Sequence, residues 1–206
     1  MRMAYGVLTI LLLSACATAP PTRHFSLQPD QALTTVDAAV PAKAILLQKV
    51  MVPTQLDKRQ MVLTQVADQE VQVLNDYQWA SPLADEIHQA LTAGLTQRLG
   101  VPSAELSRPE DRVEHWRIDV EVQRFDSVFD QYVRQDLSWR ISPVNFDGKA
   151  QLCRISLRTE AGTGVEGLAL AHQRLQSEFI DVMIQQMNGA ASIKPADEID
   201  AFSCVI

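Results

Sequence analysis

Residues 81–100 read SPLADEIHQALTAGLTQRLG and form the most clearly bounded segment of the chain. Ser81 is a residue type that caps helices, and Pro82 suits the first helical position because its missing N–H is not needed there. Apolar residues then recur every four positions: Leu83, Ile87, Leu91, Leu95 and Leu99. Gly100 tolerates the left-handed conformation in which many helices end. The pattern predicts an amphipathic helix with one buried face.

Segments on either side of this helix alternate between apolar and polar residues, which is typical of strands. The clearest is 116–122, WRIDVEV, whose apolar residues fall on one face. The mostly apolar run 44–52 predicts a central strand covered on both faces and ended by Pro53. Residues 60–64 and 71–74 flank a polar turn and predict a hairpin. Further strands are expected at 24–27, at two short stretches within 125–141 and at 150–159.

A second helix is predicted near the end of the chain, over residues 168–187, and Gly189 ends it. Its buried side is expected to contain Leu168, Ala171, Leu175, Phe179, Val182 and Met187. Just before it, Gly162, Gly164 and Gly167 match the Gly-x-Gly-x-x-Gly pattern of dinucleotide sites. Only 39 residues follow Gly167, too few for the rest of a nucleotide-binding half. We interpret the glycines as a turn between strand and helix and expect no cofactor.

Composition narrows the class of protein. Of 206 residues, 47% are hydrophobic and 21% are charged, values typical of a folded domain. The 18 basic and 25 acidic residues give a formal charge of −7, so the basic surface of a nucleic-acid binder is missing. No apolar run reaches the roughly 18 residues of a membrane span. One α/β domain that binds no nucleic acid is expected.

The first sixteen residues, MRMAYGVLTILLLSAC, have the layout of a secretory signal, with Arg2, an apolar core and small residues before Cys16. Residues 13–16, LSAC, resemble the bacterial lipobox, in which the peptidase cuts just before the cysteine. Cleavage is then expected between Ala15 and Cys16, and the thiol of Cys16 would carry the lipid. The alternative is an ordinary cysteine beside an ordinary signal peptide.

Cleavage would divide the chain into a signal peptide at 1–15, a lipidated tether at 16–23, one α/β domain at 24–189 and a tail at 190–206. Without the signal peptide the formal charge is −8, which does not attract anionic lipid, so the acyl chains would hold the protein at the membrane. Ala17 follows the cysteine, where the enteric sorting rule places aspartate in lipoproteins that stay at the inner membrane. By resemblance to that rule, we expect the outer membrane.

Two cysteines remain after lipidation, Cys153 and Cys204, which are 51 residues apart. In an oxidising compartment an isolated pair is a disulfide candidate. Such a bond would pin the tail, which otherwise reads as a loose terminus. Two unpaired buried thiols are the alternative, because pairing depends on geometry.

Residues that could do chemistry are scattered along the sequence. The four histidines have no metal-ligand spacing, so no metal is expected. His88 and His172 fall on predicted helices, where solvated or half-buried positions are expected. The Gly-x-Ser-x-Gly elbow of hydrolases is missing. Four carboxylates are interpreted as the wet face of a sheet: Asp119, Glu121, Asp126 and Asp130. No catalytic residue is expected, and the chain is not predicted to be an enzyme.

Several segments together resemble the ABC-type transport auxiliary lipoprotein family, which includes the paraquat-inducible lipoproteins. The resemblance is carried by Cys16, RHFSL at 23–27, VMVP at 50–53, LDKRQMV at 56–62, QWASPL at 78–83, the helix end at Leu99 and Gly100, and ALA at 169–171. It spans most of 16–189 and leaves out the tail. Members often have a basic residue or histidine before the tryptophan and an acidic residue before the proline, where this chain has Gln78 and Ser81.

The resemblance implies a three-layer α/β fold similar to anticodon-binding domains, with a mixed sheet and helices packed against it. It also implies a non-catalytic role. The protein would dock a periplasmic MCE-domain protein and an inner-membrane transport component to the outer membrane, as part of lipid transport. A periplasmic lipoprotein enzyme, such as a hydrolase whose residues converge only in three dimensions, and a partner of a different envelope exporter are the other functions left open.

Aromatic residues are the candidate contacts for a partner. Trp79 is the first of them, with packing at the start of the first helix as the alternative. A second aromatic stretch contains Phe125, Phe129, Tyr132 and Trp139. For that stretch burial is the default, and a partner or homo-oligomer surface is the alternative.

Overall fold

In the described residues, four strands precede the first α-helix, three lie between the two α-helices and one follows the second. The computed structural model describes residues 21–28, 43–64, 70–108, 111–189 and 196–205. The strands are β1 (Arg23–Phe25), β2 (Ala44–Leu47), β3 (Gln60–Thr64), β4 (Val71–Trp79), β5 (His115–Val128), β6 (Tyr132–Val144), β7 (Gln151–Glu160) and β8 (Ile199–Val205). The helices are α1 (Leu83–Leu99), the one-turn 3-10 helix Ala104–Leu106 and α2 (Gly164–Met187). The expected cleavage site and Cys16 lie outside the described residues.

The larger sheet has the strand order β2-β5-β6-β7-β8. Strands β5 to β8 are antiparallel to their neighbours, and β2 is parallel to β5. The alternation predicted at 116–122 is confirmed, because Ile118, Val120 and Val122 are buried and the residues between them are more exposed. The two short strands expected within 125–141 are wrong. That stretch belongs to the long hairpin of β5 and β6, which turns at Asp130 with a φ of 52°.

The prediction of a central strand at 44–52 is also wrong. Strand β2 ends at Leu47 and lies at the end of the larger sheet. Its outer edge is covered by the segment that follows α1, where the amide of Ile45 donates to the carbonyl of Pro102 (3.3 Å) and Ile45 bridges to Ser103. The apolar run is therefore buried by a helix and a loop. Burial by these elements requires the same hydrophobic residues as burial between two neighbouring strands, so the sequence pattern is the same in both cases.

The smaller sheet has the order β1-β4-β3. The hairpin predicted from 60–64 and 71–74 is confirmed as β3 and β4, although β4 continues to Trp79. Strand β1 adds parallel to β4, with Arg23 opposite Tyr77. The resemblance implied a mixed sheet with helices packed against it, and the larger sheet fits this description; the smaller sheet is an additional feature. The mixed α/β class and the single domain are confirmed.

Both helices pack over the buried face of the larger sheet, where Trp139 of β6 meets Phe179 of α2 at a ring distance of 4.9 Å. The helix predicted at 81–100 is confirmed, and Gly100 ends it with a φ of 65°. Its predicted cap is wrong. The side chain of Ser81 does not cap α1. Instead, the carboxylate of Asp57 accepts from the amide of Ala84 (3.1 Å). A residue distant in sequence thus satisfies the helix start.

The second helix begins four residues earlier than predicted, at Gly164, whose φ of +75° suits glycine. A side chain at Gly167 would place its Cβ only 2.1 Å from the carbonyl oxygen of Gly162. The glycines therefore allow the chain to fold back tightly between β7 and α2. The amide of Gly164 donates to the carboxylate of Asp130 (2.7 Å), which joins this turn to the turn between β5 and β6. The interpretation of a strand-to-helix turn agrees with this geometry.

The end of the chain is part of the larger sheet. Within the stretch expected to be a loose tail, Ile199–Val205 form β8, which pairs antiparallel with β7. Cys153 lies opposite Cys204 in this pairing, and a disulfide joins them in the structure. Most β8 side chains are exposed, so backbone pairing and the disulfide hold this strand more than burial does.

Candidate functional site

The first strand is built firmly into the domain. The structure brings β1, residues 26–28, the end of β4 and the starts of α1 and α2 together, and we call this region the N-terminal junction. The amide of Ala80 donates to the carbonyl of Phe25 (2.7 Å), which extends the pairing beyond the strands. Leu27 follows and is fully buried. The tether expected before β1 therefore enters a fixed structure within a few residues.

A buried carboxylate holds the N-terminal junction together. Glu86 of α1 is 2% exposed and accepts four hydrogen bonds. The backbone amides of Leu27 (3.0 Å) and Ser81 (2.9 Å) supply two of them. The hydroxyls of Ser26 (3.1 Å) and Ser81 (2.9 Å) supply the others. These donors satisfy the carboxylate inside the fold, so Glu86 links the segment after β1 to the start of α1 and serves structure.

Two of the motifs that carry the family resemblance meet beside Glu86. The guanidinium of Arg59 donates to the carbonyl of Ala80, and the amide of Trp79 donates to the carbonyl of Arg59 (2.7 Å). Asp57, from the same motif as Arg59, accepts from the start of α1. The segments 56–62 and 78–83 are thus two halves of one junction. Their residue types are explained by hydrogen bonds within the fold.

Trp79 is 3% exposed and packs in the core. Its ring makes edge contacts with Phe125 and His172, with centroids 6.2 Å and 6.1 Å away. Its burial leaves the indole no surface to offer a partner. The packing alternative accounts for this residue, and a partner contact through Trp79 does not fit the structure.

The expectation that His172 is solvated or half-buried is wrong, because the side chain is completely buried. Burial disfavours the charged imidazolium and lowers the pKa of His172 to about 3. The ring stacks on Phe125 at 3.9 Å. The same expectation is confirmed for His88, which is half-buried. Its Nε2 lies 3.2 Å from the carbonyl oxygen of Leu47.

A serine–histidine pair lies in the core, where it is closed to a substrate. Nε2 of His172 lies 2.9 Å from Oγ of Ser127, and Nδ1 lies 3.0 Å from the amide nitrogen of Gln135. Gln176 donates to the Gln135 oxygen (2.8 Å). Both ring nitrogens of His172 are therefore held by neutral side chains of the core. Ser127 is also only 2% exposed, so no substrate reaches it.

The aspartates of β5 and β6 belong to ion pairs with arginines of the same two strands. Burial raises the pKa of Asp126. Burial alone would also raise the pKa of Asp136, but hydrogen bonds from Arg134 and Ser156 lower it below the usual value. Among the described ranges, no group of three or more histidine, cysteine or acidic residues could hold a metal ion. The expectation that four carboxylates lie on the solvent-exposed face of a sheet is only partly right. Asp126 is half-buried, and Asp130 lies in a turn.

An open apolar groove of about 910 Å³ lies beside the N-terminal junction. It is bounded by β3, β4, the turn between β5 and β6, and the start of α2. Its apolar walls are formed by Leu63, Leu74, Tyr77, Val128, Phe129 and Val165. Phe129 is 47% exposed, which agrees with the surface alternative for one residue of the aromatic stretch. The sequence did not reveal the groove, because its walls come from four separate elements.

Two solved structures are similar to this one and share its mixed α/β fold. One is a crystal structure of an uncharacterized protein, with a TM-score of 0.65 and 16% identity; it covers 82% of this chain and 99% of the other. The other is protein XCC0632 from Xanthomonas campestris, of the DUF330 family, with a TM-score of 0.59 and 13% identity, covering 82% and 96%. No curated protein sequence matches the chain.

The sequence matches the family model of the ABC-type transport auxiliary lipoprotein component over residues 25–183. The chain belongs to this family, as the resemblance of its motifs predicted. Membership indicates an auxiliary component of a transport system and an envelope-associated, membrane-anchored protein. In the described part of the chain, no helix is long and apolar enough to cross a membrane.

Proposed function

We propose that this protein is a lipid-anchored, non-catalytic component that docks an MCE-domain protein and an inner-membrane transport component to the outer membrane for lipid transport. The N-terminal junction is the observation that carries the proposal. Seven positions separate Cys16 from Arg23, where β1 begins. A lipid on Cys16 would therefore be coupled to a fixed domain through a short connection.

The short connection matters for docking. Seven extended residues span at most about 25 Å, so the domain would stay close to the bilayer surface. Two or three acyl chains would anchor it nearly permanently, because each buried methylene contributes about 0.8 kcal/mol. Ala17, rather than aspartate, after the anchor supports the outer membrane as the destination. A domain held close to this membrane is suited to receive a partner that spans the periplasm.

The non-catalytic part of the proposal is supported by the family and by the core geometry. The family is an auxiliary transport component. The histidine–serine pair that suggests a nucleophile is buried in the core and shielded from solvent. An auxiliary component needs a surface for a partner, and the open face of the larger sheet provides one.

The experiment is to purify the full-length protein from envelopes in mild detergent and identify the proteins that accompany it. We expect an MCE-domain protein and an inner-membrane transport component. The matched control is Cys16→Ala, which should remain an uncleaved, unlipidated precursor and fail to reach the outer membrane. Recovery of a different exporter would replace the proposed partner. Normal maturation of the Cys16→Ala protein would refute the anchor.

A further inference from the structure

We propose that the apolar groove binds one acyl chain of a phospholipid from the membrane that holds the protein. This inference rests on the membrane anchoring in the proposed function and adds the chemistry of a ligand to it. The site consists of the groove walls from β3, β4 and the start of α2, together with Phe129 at the turn between β5 and β6.

The walls of the groove suit a hydrocarbon chain. Val128, Val165 and Leu63 form a buried base, at 4%, 6% and 7% exposure, while Phe129 is about half exposed. The polar residues Gln72 and Gln131, which also line the groove, are exposed to solvent. The volume of about 910 Å³ lies within the range of small-molecule pockets, roughly 300–1,000 Å³. An apolar base with polar groups toward water is the arrangement that a lipid chain with a headgroup requires.

The position of the groove places it next to the membrane. Arg23, the first residue of β1, forms an ion pair with Glu166, which lines the groove. The ring of Phe25 stacks on that of Tyr77 at 6.4 Å, and Tyr77 also lines the groove. Arg23, which is seven positions after Cys16 in the sequence, therefore lies at the edge of the groove. With the lipid on Cys16 in the bilayer, the groove lies within about 25 Å of its surface.

Charges at the edge of the groove match a zwitterionic headgroup. The side chains of Arg23 and Glu166 are about half exposed, at 52% and 47%. A guanidinium binds phosphate oxygens, and a carboxylate beside it binds an ammonium group. A phosphate and an ammonium are the two charges of phosphatidylethanolamine. We therefore commit to a membrane phospholipid as the occupant, rather than an apolar segment of a partner protein.

Exposed apolar residues on the same hairpin favour contact with a membrane. Val71 and Val73 of β4 are 55% and 41% exposed. They alternate with Gln72 and Leu74, which line the groove, so β4 presents apolar residues on both of its faces. Exposed apolar clusters mark sites that another apolar surface covers. A bilayer close to this hairpin would cover the valines while supplying a chain to the groove.

The test uses the full-length lipidated protein in phosphatidylethanolamine–phosphatidylglycerol vesicles. A small fraction of the phosphatidylethanolamine carries a photoactivatable diazirine on its acyl chain. After flotation and irradiation, digestion and mass spectrometry locate the adducts. We expect them on β3, β4 and residues 128–131. Because a charge is expelled from an apolar site, Leu74→Glu should reduce the adducts by more than about tenfold.

Two further variants keep the result interpretable. Phe129→Glu changes an exposed wall and should also reduce the adducts even if Leu74→Glu fails to fold. Leu106→Glu is the matched control, because Leu106 is 95% exposed and does not line the groove, and it should leave the adducts unchanged.

The outcomes separate the groove from the anchor. Protein that floats with the vesicles but has no adduct in the groove would refute the binding of a phospholipid chain and leave the anchor intact. If the acyl chains on Cys16 itself occupy the groove, the inference is refuted in the same way. Loss of co-purified partner in Phe129→Glu, without groove adducts in the parent, would assign the groove to a protein and overturn the inference. Protein that does not float would refute the anchor and this inference together.

Discussion

The strands at the two ends of the domain are fastened by different means. Strand β1 is only three residues long and pairs parallel with β4, yet the residues after it bind Glu86 and bury Leu27 completely. Strand β8 has seven residues and pairs antiparallel with β7, but most of its side chains are exposed and a disulfide joins it to β7. Burial and hydrogen bonds hold the first strand, and a covalent bond holds the last.

The two strands therefore depend on different parts of the molecule for their stability. The N-terminal junction recruits α1, α2 and β4, so its loss would disturb several elements at once. Strand β8 contacts the core mainly through the partly buried Ile199 and Phe202. Removing its covalent link should therefore free β8 without unfolding the remainder. The following experiments test whether the two ends respond independently.

The largest effect is expected from loss of the disulfide. Closing a loop of 51 residues stabilises a protein by about 4 kcal/mol in the chain-entropy model. Reduction, or the variant Cys204→Ser, should lower the free energy of unfolding by up to this amount, measured by urea denaturation. Amide hydrogen exchange should become faster in β8, while β1 should keep its protection.

Mass mapping under non-reducing conditions is the direct control for this prediction, and it should recover one peptide pair that contains Cys153 and Cys204. Two free thiols in protein isolated from cell envelopes would contradict the pairing. Equal loss of protection in β1 and β8 after reduction would contradict the independence of the two ends.

A somewhat smaller effect is expected at the N-terminal junction. Glu86→Ala leaves the buried amide of Leu27 and the partly buried amide of Ser81 without acceptors, which should cost about 3 kcal/mol of unfolding free energy. Exchange should become faster at these two amides while β8 remains protected. Asp85→Ala is the matched control, because it removes the same charge from an exposed neighbour on α1. If both variants lose the same stability, the effect comes from helix charge rather than from the buried carboxylate.

The smallest effect is a dependence on pH through His172. Its pKa falls from 6.5 to about 3 on folding because of burial. Between these values the unfolded chain binds a proton that the native protein excludes, so stability is lost as the pH falls below about 6.5. From pH 7.5 to 5.5 the loss should be about 1.4 kcal/mol.

The variant His172→Gln should be less stable at neutral pH but should lack this part of the pH dependence. Because His172 contacts Trp79, whose strand pairs with β1, acid should speed exchange at β1 before β8. Identical slopes for the parent and variant between pH 7.5 and 5.5 would show that His172 is not the titrating group.

Local patterns predicted much of the fold. The helix at 81–100, the strand at 116–122 and the hairpin of β3 and β4 were all predictable, because period and punctuation are properties of neighbouring residues. The central strand at 44–52 was not, because an apolar run reports burial and does not say whether a strand, a helix or a loop provides it. The cap of α1 was missed for a related reason, since Asp57 is close to Ala84 only in the folded chain.

The candidate site was less predictable than the fold. Trp79 stood out in the sequence, but its role is packing, and Glu86 gave no signal because an acidic residue in the first turn of a helix is ordinary. The groove walls are leucines, valines and aromatics, which read as core in any strand or helix. These residues differ from core residues only because the fold brings them together around an open groove.

By itself, the sequence determined the family and the period of the main helices and strands, because these depend on adjacent residues and short motifs. The anchor at Cys16 is a prediction from the same kind of motif. The tertiary structure decided which surfaces are open. It placed Trp79 inside and Phe129 outside, paired β8 with β7 and assembled the groove from four elements. Exposure depends on which distant segments pack together, and that information is absent from any single stretch of the chain.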